Sequence, residues 1–255
     1  MSPAGAVQKL IQGDGTPLDQ WQASASLARV PCVDAVDLVP SGCRLVVVAP
    51  HPDDEILTCG GLLASLCRRE QDLLLVSVTD GEASHKGSAR WTTDSLRQQR
   101  PQESQAALQA LGLNVDTLRW LRVGLADSAV AKHENFLAVY LMQRLRPGDR
   151  VVTTWRGDGH CDHEAVGRAC ALAAQASHAC LMEVPVWAWH WAAPDDPRLP
   201  WERARKVMLD DDMLRRKRRA ICAHRSQIEP DGAQPAVLAP HTLERLLQPF
   251  ELVFV

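Results

Sequence analysis

The densest chemistry in this sequence is Pro50-His51-Pro52-Asp53-Asp54-Glu55, one imidazole followed by three carboxylates. Like charges so close together are costly without a counter-charge, and a divalent cation supplies one. His with Asp is a normal ligand set for zinc, whose catalytic sites hold three protein ligands and keep one position for water. The remaining ligand must come from elsewhere. Trp155-Arg156-Gly157-Asp158-Gly159-His160-Cys161-Asp162-His163 offers two histidines three residues apart. Adjacent side chains in an irregular loop point in different directions, so Asp53 and Asp54 can divide two jobs, one ligating metal and the other handling protons. That division suits metal-assisted hydrolysis.

Both stretches follow runs that read as strands. Residues 45–49 are continuously apolar and mostly β-branched, which suits a strand buried on both faces. Gly60-Gly61 leads into a helix over 62–67, and 73–78 forms a second buried strand, closing a βαβ unit. The alternation continues with a helix over 93–111, a strand near 118–121, a helix over 135–145, a strand at 151–154 and a helix over 163–176. This pattern predicts an α/β fold, a Rossmann-like three-layer sandwich with a mostly parallel sheet. Ligands in such sheets gather beyond the carboxyl ends of the strands, where both chemical loops fall. Past residue 176 the periodicity weakens. Trp187, Trp189 and Trp191 alternate with other residues, so that on a strand their indoles would share one face, and a charged helix is expected over 211–224. Residues 1–40 read as an arm packed on a single domain of residues 41–255.

With 255 residues and 46% hydrophobic content the chain can bury one sizeable core. Its net charge of −3 is spread along the sequence and creates no basic field for nucleic acid or an anionic membrane. The start lacks a charged segment followed by an apolar one, and no apolar run approaches the ~18 residues of a membrane span, which predicts a cytoplasmic protein. Eight cysteines without a Cys-x-x-Cys pair argue against a zinc ribbon or disulfide scaffold, and most are expected to be reduced core residues. Cys59-Gly60-Gly61 lacks the Gly-x-Gly-x-x-Gly spacing, and acidic residues occupy the loop where a pyrophosphate would sit, which excludes a dinucleotide-binding dehydrogenase.

His51-Pro52-Asp53-Asp54-Glu55 with His160-Cys161-Asp162-His163 resembles the LmbE-like or PIG-L family of zinc N-deacetylases, over roughly residues 45–176. The resemblance implies that His51, Asp54 and His163 hold one Zn2+ per chain, with ferrous iron as the alternative. It implies that Asp53 is the general base and that His160, in protonated form, offsets the oxyanion's charge or serves as acid. It further implies that Arg100 faces the substrate and that Asp127 binds sugar hydroxyls. The competing expectations are a helix ion pair from Arg100 to Glu103 and a helix N-cap for Asp127. Thr79-Asp80-Gly81-Glu82 resembles the family's loop bordering the site, or is a turn with Gly81 at positive φ. Lys217, Ala220, His224, Ser226 and Gln227 resemble a late family pattern.

Cys161 stands where the family commonly has proline, and Thr58 where glycine is common. A thiolate from Cys161 would close the metal site to water, so Cys161 is expected to be structural. The implied reaction removes an N-acyl group from a small-molecule amino sugar or glycoside, and homo-oligomerisation is left open. Competing readings are a zinc amidase for a non-sugar amide and a metal-binding module without turnover. Intact Asp53 and His160 disfavour the module.

Overall fold

The computed structural model describes residues 11–67 and 73–255. Eight strands form one sheet: β1 (Cys32–Val33), β2 (Leu45–Ala49), β3 (Leu73–Ser77), β4 (Arg119–Arg122), β5 (Arg150–Thr154), β6 (Cys180–Val184), β7 (Ala204–Met208) and β8 (Phe250–Phe254). Their order is β1-β7-β8-β6-β5-β2-β3-β4. Strands β6, β5, β2, β3 and β4 run parallel, whereas β8 is antiparallel to both β6 and β7. The chain builds outward from β2 in one direction through β3 and β4, then in the other through β5 and β6. The topological switch point therefore lies between β2 and β5, and the loops leaving these two strands carry the two chemical motifs.

The β2 run is apolar throughout because both faces of the sheet are covered. Leu45 and Val47 enter one core with α1 (Asp54–Leu66), α2 (Thr93–Leu111) and, further along the chain, α5 (Asp211–Ile221). Val46 and Val48 enter a second core with α3 (Glu134–Met142) and α4 (Cys161–Ala176). The result is the three-layer α/β sandwich with a mostly parallel sheet. Among the described residues, no helix is long and apolar enough to cross a membrane.

Helix α1 is interrupted at Cys59, where φ is −141° and ψ 26°. The break exposes the amides of Gly61 and Leu62, which donate to the Glu251 carboxylate of β8 at 2.7 and 2.9 Å. Lys217 of α5 closes the arrangement, donating to Glu251 at 2.6 Å and to the Leu57 carbonyl at 3.1 Å. A Cβ at Gly61 would lie 2.3 Å from the Leu209 side chain, which would have to move to admit it. Lys217 is 1% and Glu251 4% exposed, so Lys217→Met leaves a buried carboxylate without its cation. It is expected to lower stability by ~3 to 5 kcal/mol. Urea unfolding checks this, and an unchanged midpoint would rule out the ion pair as a stabilising link.

Residues 11–40 are bound into the fold at several points. β1 pairs with β7 as an edge strand, and buried Trp21 packs edge-on to Trp189 with centroids 4.9 Å apart. The stretch around Trp187 departs from expectation: Ala188–Trp191 is a short helix, Trp189 is buried, and the three indoles share no strand face. The charged helix ends at Ile221, leaving His224 in the following turn. The cysteines also differ from the core assignment. All eight are free, but only Cys59 and Cys170 are buried, while Cys32, Cys180 and Cys222 are exposed.

Candidate metal centre

β2 ends at Ala49, and the chain turns through Pro50–Asp53 before α1 begins at Asp54. Asp53 occupies the helix N-cap position with φ 142° and ψ −31°, a backbone conformation that costs a non-glycine residue on the order of 1–3 kcal/mol. The turn brings His51 and Asp54 to one point, which His163 reaches from the first turn of α4. Asp54 Oδ2 lies 3.2 Å from His51 Nδ1 and 3.2 Å from His163 Nε2. All three residues are buried.

The outer nitrogen of each imidazole is held by carboxylates. His163 Nδ1 lies 2.8 Å from Asp158 Oδ2. His51 Nε2 lies 3.1 Å from Asp162 and 3.4 Å from Asp127. A carboxylate behind an imidazole fixes the tautomer and turns the other nitrogen's lone pair inward, the usual support for a metal-ligating histidine. Asp158 also accepts the amides of Val186, Trp187 and Ala188, and Asp162 those of Ser128 and Val130, so both carboxylates are anchored. Ligand atoms of His51, His160 and His163 lie within 4.8 Å of one another, as do those of His51, Asp127 and Asp162. Two supported imidazoles converging on one carboxylate fit a divalent cation, and His160 stands at the same point.

The electrostatics of the cluster are strongly perturbed. Burial opposes the charge of Asp54, but His163 and His51 outweigh it and hold the carboxyl well below its usual range. Burial likewise opposes protonation of His163, yet Asp54 and Asp158 raise it to about 9. For Asp53, burial prevails over the attraction of Arg100, and with Asp54 adjacent its carboxyl is pushed up to about 7. His160 moves the other way, lowered to about 3 by burial and by the charges of His163 and His51. That direction favours the neutral ring. Its Nδ1 accepts the Asp162 amide at 3.3 Å, so the neutral ring carries its proton on Nε2 as a donor.

Arg100 also departs from its expected contact. The i, i+3 spacing puts Arg100 and Glu103 on one buried face of α2, but they do not pair with each other. Arg100 Nη2 donates to Asp53 Oδ2 at 2.9 Å and to Pro52 O at 2.8 Å, and Nη1 donates to Gly81 O at 2.8 Å. The guanidinium holds the candidate base while reaching the edge of the recess. Gly81 has φ 67°, and a Cβ there would meet the guanidinium at 2.0 Å. Glu103 instead accepts the amide and hydroxyl of Ser226 at 2.9 and 2.6 Å. Asp127 is not a helix N-cap. It lines the recess, accepts the Ala83 amide at 2.9 Å and faces His51. Asp80 pairs with Arg122 at 2.7 Å.

His224 is fully buried, without a hydrogen-bond partner for either ring nitrogen among the described residues. Burial, with Arg100 nearby, lowers it to about 3 and keeps it neutral. Burial and Asp162 raise the Cys161 thiol above its ordinary value, which favours the protonated form. Sequence reasoning missed Asp158 and Asp162 as supports. The signal for them lies in the same motif, two carboxylates flanking the paired histidines.

The carboxylates and imidazoles line a recess of about 230 Å3. Fold and site together define an open α/β protein with a candidate metal centre at its switch point. The PIG-L family, described as GlcNAc-PI de-N-acetylase, matches residues 46–174 and so takes in both motif loops, and the chain belongs to this family. It is 30% identical over 177 residues to the 1D-myo-inositol 2-acetamido-2-deoxy-alpha-D-glucopyranoside deacetylase of Mycobacterium sp. (strain KMS), covering 60% of this chain and 55% of that protein. The chain thus spans about half the length of that curated relative. Among solved structures, the conserved protein TT1542 from Thermus thermophilus has a TM-score of 0.51 at 26% identity, covering 73% of this chain and 80% of that one. A deacetylase of teicoplanin biosynthesis shares the fold with a TM-score of 0.60 at 19% identity, covering 83% of this chain and 96% of that one.

Proposed function

We propose that this chain is a zinc-dependent N-deacetylase that hydrolyses the amide of an N-acetylated amino sugar or glycoside, with residues 41–255 as a single catalytic domain. The observation that carries the reading is the convergence of His51, Asp54 and His163 beside an Asp53 carboxylate gripped by Arg100. His51 Nδ1, Asp54 Oδ2 and His163 Nε2 would hold the cation. When bound, Zn2+ supplies a Lewis acid that polarises the amide carbonyl and makes a water more acidic.

The residues do the rest. Asp53, fixed by Arg100, accepts a proton as water oxygen bonds to the carbonyl carbon. Neutral His160 donates its Nε2 hydrogen to the developing oxyanion, an interaction for which one donor is typically worth ~3 to 4 kcal/mol. The proton held by Asp53 then passes to the amide nitrogen, the C–N bond breaks, and the products are the free amine and acetic acid. Asp127, which lines the recess, would meet a sugar hydroxyl.

Treatment with chelator is expected to abolish amine release from N-acetylglucosamine derivatives, and stoichiometric Zn2+ to restore it. Silence across the sugar panel from protein carrying one metal per chain would overturn the sugar substrate and leave a non-sugar amidase.

A further inference from the structure

Beyond the recess lies a larger cavity of about 910 Å3. The two compartments adjoin, since Ser84, Ser128, His160, Trp187 and Val237 line both. Asp53 and the candidate ligands Asp54 and His163 line the small recess, whereas the outer wall of the cavity comes from two segments remote from the metal loops. These are the N-terminal stretch at Ile11, Gly13 and Asp14, and the segment 235–242, a loop that runs into the first turn of the Pro240–Leu246 helix.

The N-terminal wall is fixed in place. Arg245, buried in the Pro240–Leu246 helix, donates to the carbonyls of Asp14 and Thr16 at 2.8 and 2.9 Å. The Thr16 amide donates to His190 O at 2.9 Å, and its hydroxyl donates to Ala192 O at 2.7 Å. Gly15, at φ +68°, lies so close to His190 that a Cβ would meet the ring at 2.6 Å. This stretch is therefore a built wall of the cavity.

We infer that this cavity is the subsite for the substituent attached to the amino sugar, and that it selects an uncharged glycoside bearing an aromatic or other bulky apolar group. The inference rests on the deacetylase reading and names the substrate class for that site. Three observations support it. A cavity of this volume belongs to the ~300–1,000 Å3 class that encloses drug-sized ligands, well beyond an acetyl group. Among the described residues no lysine or arginine lines it and Asp14 is its one carboxylate, so an anionic substituent would lose its hydration without gaining a lysine or arginine counter-charge. The lining also interleaves Ile11, Ala236 and Trp187 with His241, Thr242 and Ser128. Polar groups so placed find partners on a glycoside and none on a long acyl chain.

The test compares 4-nitrophenyl N-acetyl-β-D-glucosaminide with N-acetylglucosamine, UDP-N-acetylglucosamine and N-octanoylglucosamine as substrates. It is paired with calorimetric binding of the amine product, 4-nitrophenyl β-D-glucosaminide. Ala236→Trp narrows the cavity and lies outside the metal loops. The aryl glycoside is expected to exceed N-acetylglucosamine in kcat/KM by about tenfold or more, equivalent to ~1.4 kcal/mol of added binding. The nucleotide sugar is expected to be poorer than the aryl glycoside. Ala236→Trp should erase the aryl advantage and weaken product binding equally, with turnover of N-acetylglucosamine unchanged. Equal kcat/KM for sugar and aryl glycoside, or a preference for N-octanoylglucosamine that Ala236→Trp removes, overturns the assignment. Aryl-dependent binding lost in Ala236→Trp, without amine release from any substrate, sustains the cavity and defeats the deacetylase reading alone.

Discussion

Asp53→Asn is expected to bind metal as the unaltered chain does and to lose turnover by about 10²- to 10⁴-fold, the usual contribution of a positioned general base. The side chain contributes to neither of the two contacts that join His51, Asp54 and His163. An asparagine has nearly the same shape, and its carbonyl can still accept from the Arg100 guanidinium that now reaches Asp53 at 2.9 Å. What disappears is the capacity to take a proton from water and return it to nitrogen. Metal content by mass spectrometry and kcat under saturating substrate separate the two functions. A rate close to that of the unaltered chain, with one metal bound, would falsify the assignment of Asp53 as base.

His163→Ala should lose the metal itself. The substitution deletes the nitrogen that lies 3.2 Å from Asp54 and strands the Asp158 carboxylate, buried with its imidazole partner gone. Removing a residue that merely supports a ligand typically weakens metal affinity by ~10- to 100-fold, so deleting the ligand should cost at least that much. Metal per chain after dialysis is expected to fall from one toward zero, and amine release to the uncatalysed rate. If the variant retained a full complement of metal, His160 rather than His163 would be the second imidazole ligand, an arrangement the nearby His160 ring makes a real competitor.

The central sheet was legible because its strands are short, continuous apolar runs, and because such runs, buried on both faces, are hard to mistake when helices alternate with them. β2 and β5 were also legible as carriers of the two motif loops. The half of the sheet beyond β5 was not. β8 contains Glu251, a charge that a sequence reading excludes from a core strand, and it is tolerated only because Lys217 and the amides of Gly61 and Leu62 meet it. The period of two in the tryptophans was equally misleading. Asp158 accepts three amides, those of Val186, Trp187 and Ala188, at the start of the segment 188–191, and that tertiary cap winds it into a helical turn.

Within the site, residue types revealed the candidate ligands and base, but not who holds whom. Arg100 could be read as a surface charge or a substrate contact. Its contact with Asp53 arises only when α2 folds against the loop after β2. The charge state of His160 was also beyond a sequence reading, since it follows from burial and from two imidazoles brought close by the fold.

Asp158 serves two masters at once. Its Oδ2 orients His163, and the same carboxylate fixes the backbone at Val186, Trp187 and Ala188, where Trp187 forms part of the wall between recess and cavity. On the proposed reading, cation and glycoside draw on one shared anchor. Free-energy coupling between two such ligands is reciprocal: whatever the metal adds to the affinity for the glycoside, the glycoside returns to the metal. Where that coupling is favourable, a chain saturated with substrate holds its cation more tightly than a resting one, so that engaging substrate also guards the cofactor.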